Sequence, residues 1–244
     1  MSTALDLLNA SSLPRLALVS HLQIAGQGGD EGEGGSLPLL WPELERALPD
    51  RGLPKGVVEL ACAKGLGGGT RVALAAVRGG QRQGGWCAWL DPEGSLYAPG
   101  VAKAEVDLQR LLVVRPPRKD LAAVAVKLVQ SSAFDVIVID YTPPALVKLE
   151  SAHASRALSP SLSRSRSVRP EVLVRKLALL AEAGGSTVIL LTDASEPRPL
   201  PWQVALRIEL SRSPGALTVK VVKDRFCRLA MSKVAWPACS ARTA

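Results

Sequence analysis

Histidine is nearly missing from this sequence: His21 and His153 are its two copies, and the four cysteines, at 62, 87, 227 and 239, form no C-x-x-C pair. That pattern offers neither a zinc-ribbon spacing nor a redox dithiol. Cys62 and Cys87 fall in or beside strand-like apolar runs, where a free thiol behaves as a small hydrophobe, so a reducing cytoplasm is the expected compartment. Aromatic residues make up 4% of the chain, which leaves Ala, Val and Leu to fill the interior. No stretch approaches the ~18 consecutive apolar residues of a membrane span. The opening MSTALDLLNASS has no basic segment of the secretory type.

What is present is a chain of 244 residues, 47% hydrophobic, long enough for one large α/β core with a small appendage. Its net charge of +8 suits a polyanionic partner, either nucleic acid or an acidic protein surface. Codon-driven arginine in a GC-rich genome accounts for the same charge without any partner.

The stretch that organises the chain is LPKGVVELACAKGLGGGTRVALAAV, from Leu53 to Val77. A buried-strand pattern at Val57, Val58 and Leu60 runs into a glycine-rich turn and then a helix-like run starting near Thr70. Strand, glycine turn and helix are the parts of a phosphate-binding loop. The Walker A pattern, however, needs G-x-x-x-x-G-K-[ST], with the lysine on the β/γ-phosphates and the hydroxyl on Mg²⁺. Here the turn ends Gly67-Gly68-Gly69-Thr70, and glycine stands where the lysine should be.

Around this stretch the sequence alternates strands and helices. Residues 1–36 read as an apolar arm (Leu5, Leu7, Leu8, Leu16, Leu18, Val19, Leu22) followed by a flexible linker, GQGGDEGEGGS. Leu39 to Leu48 reads as a short helix. The helix after the glycine turn is expected to close at Gly79-Gly80 and Gly84-Gly85. Trp86 to Leu90, Leu111 to Val114, Asp135 to Asp140 and Thr187 to Leu191 read as buried strands. Leu121, Val124, Ala125, Leu128 and Val129 give one helix face, and Pro170 to Ala183 a second helix closed by Gly184-Gly185. Val204 to Leu210 and Leu217 to Val222 flank Ser213-Pro214-Gly215 as a hairpin. A mostly parallel sheet flanked by helices follows, ending in antiparallel strands. The core is expected over 37–235, with a tail at 236–244. Within it, an arginine- and serine-rich loop at about 150–169 has no apolar content to pack.

Four segments in this order resemble the ATPase core of RecA. They are WPELERALPDRGLPKGVVEL, LDPEGSLYAPGVAKAEVDLQRLLVV, DVIVID and KVVKDR. The resemblance implies a RecA-like α/β fold. It places Glu93 at the position of RecA's catalytic glutamate, Asp140 at its metal-side aspartate, and Lys223 and Arg225 at two basic residues that reach the neighbouring subunit's ATP. The phosphate-loop lysine is absent, RecA's γ-phosphate-sensing glutamine is replaced near Leu191-Thr192-Asp193, and the following DNA loop is shortened to DASEPRPLP. RecA's C-terminal domain has no counterpart in this sequence. A degenerate RecA-like core of this kind is similar to the ImuA proteins, accessory factors of damage-induced mutagenesis.

That resemblance implies a non-enzymatic adaptor of translesion synthesis, cytoplasmic and nucleoid-associated during DNA damage, with no cofactor, no metal and no catalytic residues. Gly67, Gly68, Gly69 and Thr70 would be a degenerate loop, and Glu93 and Asp140 vestigial. The implied partners are RecA, an ImuB-like inactive relative of the Y-family polymerases and an error-prone replicative-type polymerase. Lys223 and Arg225 are the candidate partner contacts, fit for capping or modulating a RecA filament. Arg156, Arg164, Arg166 and Arg169 are candidates for weak, non-specific DNA contact; four phosphates would give a log-log salt slope of about −3.6. Two other classes compete: a SulA-like cell-division inhibitor, and a divergent RecA-family DNA-dependent ATPase using Lys64. Trp202 and Trp236 are candidate docking aromatics.

Overall fold

The computed structural model describes residues 35–62, 68–141, 169–195 and 203–237. Among these the helices are α1 (Pro42–Ala47), α2 (Gly69–Arg82), α3 (Ala98–Lys103), α4 (Leu121–Gln130) and α5 (Pro170–Gly184). The strands are β1 (Gly56–Cys62), β2 (Cys87–Leu90), β3 (Leu111–Val114), β4 (Val136–Asp140), β5 (Thr187–Asp193), β6 (Leu206–Ser213), β7 (Ala216–Asp224) and β8 (Ala230–Ala235). They form one eight-stranded sheet in the order β3-β2-β4-β5-β1-β6-β7-β8. Pairing is parallel from β3 through β6 and antiparallel for β6–β7 and β7–β8.

Each face of the sheet has its own core, which is why the central strands read as unbroken apolar runs. Val58 and Leu60 of β1 face α1 and α2 with Trp41, Val72, Ala76 and Trp89. Val57 points the other way, into a core with Leu121, Ala125 and Val129 of α4 and Leu173, Leu177 and Ala181 of α5. The expected mostly parallel sheet, flanked by helices and ending in antiparallel strands, is the observed one.

Local chemistry sets most element ends where the sequence placed them. Pro170 opens α5 with its fixed φ, and Gly185 ends it at φ 66°. The N–H of Ser186 then donates back to the Ala181 carbonyl at 3.0 Å, satisfying an orphan helix-end acceptor. Gly215, φ 71°, makes the tight turn between β6 and β7.

Two expectations need correction. The helix after the glycine turn does not close at Gly79-Gly80 but runs on to Arg82. Those glycines are not stops; they allow close approach, because a Cβ on Gly79 would overlap the Pro38 carbonyl oxygen and one on Gly80 would meet Val136 at 2.7 Å. The hairpin is also longer than expected and is followed by β8, for which the sequence gives no strand. Its alternation of exposed Met231 and Lys233 with buried Val234 is weak beside the apolar runs of the parallel strands.

The segment before β1 is tied down at both ends. Leu37 and Leu53 exchange backbone hydrogen bonds of 2.7 and 2.9 Å, and the Trp41 indole N–H donates to the Ala235 carbonyl at 3.1 Å. These contacts bring α1 against β8 and carry the chain beyond β8 over the carboxyl end of β1.

Candidate functional site

The carboxyl edge of a parallel sheet, where β1 turns into α2, is where this kind of fold presents a ligand. A cavity of about 670 Å³ lies there. Its walls come from α1, α2, α3, the ends of β4 and β5, and the residues after β8.

At its base the two described glycines of the turn, Gly68 and Gly69, are closely packed. Gly68 is buried, and a Cβ built on it would lie 2.7 Å from Leu217 and 3.0 Å from the Trp236 ring. Gly69 has the same constraint from Cys62, whose sulfur would sit 2.6 Å from a Cβ there. The backbone N–H of Gly69 donates to that sulfur, so a donor that would face a phosphate is already engaged. Burial pushes the Cys62 thiol up to about 11, against this smaller opposing hydrogen bond, and it stays protonated at neutral pH. A lysine at either glycine would therefore need the neighbouring side chains to move.

The residues beyond β8 close the mouth. Trp236 lies beside Trp41 with ring centroids 5.9 Å apart. The Arg71 guanidinium stands 5.2 Å and that of Arg212 5.7 Å from the Trp236 ring centroid, within cation–π range. Arg71 also donates to the Pro237 carbonyl at 3.2 Å. The indole is thus held between two guanidiniums directly above Gly68.

The two acidic candidates have different settings. Asp140, the last residue of β4, borders the cavity, whereas Glu93 does not. Glu93 is exposed on the turn after β2 and is ion-paired with Arg118. A carboxylate that the sequence reading passed over does more in this loop. Asp91 is fully buried, accepts from the N–H groups of Ser95 and Leu96 at 2.8 and 3.0 Å, and faces Arg115 at 3.6 Å. It shapes the β2–α3 connection that forms one cavity wall. Among the described residues no group of three or more His, Cys, Asp or Glu is placed to share a metal ion.

Lys223 and Arg225 sit at the other end of the sheet. Because β7 is antiparallel, Asp224 stands opposite Leu206 at the start of β6, while Leu210 is level with Cys62 at the cradle. At ~3.3 Å per residue, the length of β1 separates the two edges by roughly 20 Å. Arg225 is ion-paired with Glu182 at the end of α5, and Lys223 is exposed on β7 opposite Arg207. Neither side chain is placed to reach its own chain's cradle.

Arg169 is exposed, and its carbonyl accepts the first N–H groups of α5 from Val172 and Leu173. Arg156, Arg164, Arg166, Gly67, Lys64 and Trp202 lie outside the described residues. The sequence reading missed Arg71, Arg212 and Leu217. No local pattern marks them, since they become neighbours only through the pairing of β6, β7 and β8.

A strand–glycine turn–helix cradle at the centre of a mostly parallel sheet, finished by an antiparallel β6–β8 meander, defines a RecA-like core. The RecA N-terminal domain family matches residues 35–163, a little more than half the chain, and this chain belongs to that family. "Protein RecA" of Cutibacterium acnes is 32% identical over 158 residues, covering 63% of this chain and 43% of that protein. The same-named protein of Allorhizobium ampelinum is 35% identical over 139 residues, 50% of this chain and 38% of the relative. That of Kineococcus radiotolerans is 39% identical over 108 residues, 44% and 31% respectively. The chain thus spans less than half the length of each of these relatives.

Proposed function

We propose that this chain is a non-catalytic, ImuA-like accessory protein of damage-induced mutagenesis, acting through RecA and an ImuB-like relative of the Y-family polymerases. The observation that carries this reading is the missing lysine, with Gly69 at its position, a Cβ there 2.6 Å from the Cys62 sulfur, and Leu217 and Trp236 packed in the same way against Gly68. An ATPase of this fold needs a charged lysine and free backbone donors in that space. Loss of charged hydrogen bonds worth ~1.5–3 kcal/mol each lowers ATP affinity by one to two orders of magnitude or more.

The position of Lys223 and Arg225 supports a docking role. Basic residues on the edge opposite the cradle act on a neighbour, in a head-to-tail contact. A chain that offers them at one edge and a closed cradle at the other would join a RecA filament end and stop its growth.

Two measurements test the proposal. Calorimetric titration with Mg·ATP is expected to give no heat at micromolar concentrations; tight binding with turnover would sink the non-catalytic reading. Charge reversal at Lys223 and Arg225 is expected to abolish association with RecA, and unchanged association would dispose of the capping role.

A further inference from the structure

The cavity above the closed cradle has a composition suited to a protein segment. The apolar lining that solvent reaches is Leu96, Tyr97, Ala104 and Trp236. Trp41, Leu74, Trp89 and Val101 back it from the core and are themselves buried. Its rim is cationic: Arg71, Lys103 and Arg212 are exposed there. Arg78, the other lining cation, is already neutralised by Glu105 at 3.1 Å. Arg71 and Arg212 instead lean on Trp236, and among the described residues neither has a carboxylate within ion-pair distance. Asp140 is the remaining acid of the lining, so the rim carries a surplus of positive charge.

We propose that this cavity is a docking pocket for an acidic segment of a partner protein, which seats an apolar side chain against Leu96, Tyr97 and Trp236 and pairs its carboxylates with Arg71 and Arg212. Charge complementarity selects the class of occupant. Guanidiniums fixed on an indole are pre-oriented for bidentate carboxylate pairing and lose little freedom on binding. The apolar wall supplies an anchor site of the kind that dominates peptide affinity. Phosphate is disfavoured because the lysine that would hold it is absent, with Gly69 at its position. The inference therefore rests on the closed-cradle reading given above.

The test uses the full-length chain and fluorescence anisotropy with a labelled Ac-Glu-Asp-Phe-Asp-Glu-Leu-Glu-amide. Controls are the same peptide with Gln and Asn for its acids, the same peptide with Ala for Phe and Leu, oligothymidylate, and Mg·ATP. The acidic apolar peptide is expected to bind best, with both peptide controls at least about tenfold weaker. Arg71→Glu with Arg212→Glu should remove binding with the circular dichroism spectrum near wild type and a urea midpoint lowered only by the lost contacts to Trp236; Arg71→Gln with Arg212→Gln should weaken binding in the same direction. Affinity should also fall as salt rises from about 0.05 to about 0.5 M. Equal binding of the amide control, or no peptide binding, overturns the pocket. Oligothymidylate binding that the double variant abolishes overturns it in favour of nucleic acid. Mg·ATP binding that survives the double variant overturns the closed-cradle reading separately, whatever the peptide does.

Discussion

Gly69 stands where the phosphate-loop lysine would be, directly before Thr70, so no ammonium group reaches the cradle. A Cβ there would lie 2.6 Å from the Cys62 sulfur, and Gly68 beside it is packed in the same way by Leu217 and Trp236. Restoring the missing chemistry by Gly69→Lys is therefore expected to fail. The new side chain has to displace packed neighbours, at about 1–3 kcal/mol of overpacking. The variant should lose stability in urea and still give no Mg·ATP binding by calorimetry. Recovery of micromolar binding with unchanged stability would show that the cradle is open. Cys62 offers a gentler check: with its thiol pushed up to about 11, it should react with iodoacetamide at pH 8 far more slowly than exposed Cys227.

Elements in this fold are positioned by close approaches that helix propensity alone does not foresee. Gly79→Ala in the middle of α2 would be stabilising by ~1 kcal/mol on propensity. Because the Pro38 carbonyl occupies the site of the added methyl, the expected outcome is the reverse, a loss of about 1–3 kcal/mol in urea denaturation. The β7–β8 connection is held by electrostatics instead. Arg228 binds both oxygens of Asp50 at 2.6 and 2.9 Å, and donates to Asp224 at 2.8 Å. The Arg228 side-chain hydrogen bond, helped by the N–H groups of Arg228 and Phe226, holds the Asp224 carboxyl below its usual value against a smaller opposing effect of burial. Between the lowered folded pKa and the ordinary unfolded one, the unfolded chain binds more protons. The stabilisation is thus present above the ordinary carboxylate range and is lost as pH falls through the folded pKa. Asp224→Asn is expected to lower the urea midpoint at pH 7 and to flatten its decline below about pH 4. An unchanged acid limb would place the interaction elsewhere.

At the scale of the molecule, the glycine turn lies at the carboxyl ends of the parallel strands, and Lys223 and Arg225 lie at the opposite end. Head-to-tail assembly uses one edge from each neighbour. The capping role proposed above therefore predicts shorter RecA filaments in the presence of this protein, with growth blocked at one end when followed by single-filament microscopy. Blockage at both ends, or none, would contradict the polar arrangement.

Much of this was written locally. The alternation of strands and helices, the Pro170 start and Gly185 end of α5, the turn at Gly215 and the missing lysine are each readable within a few residues, because they depend on backbone freedom, periodicity and side-chain type. Strand β8 was harder to read because half of it faces solvent and its pattern is faint. What no reading of the chain in order could supply was the meeting of Gly68, Leu217, Arg212, Arg71 and Trp236. Gly68 and Arg71 lie far in sequence from Arg212, Leu217 and Trp236, and only the sheet order, with β6, β7 and β8 following β1, brings the two groups to one point. The missing cation is legible in residue types alone; that Cys62, Leu217 and Trp236 pack against Gly68 and Gly69 is not, because packing depends on neighbours that a linear pattern does not name.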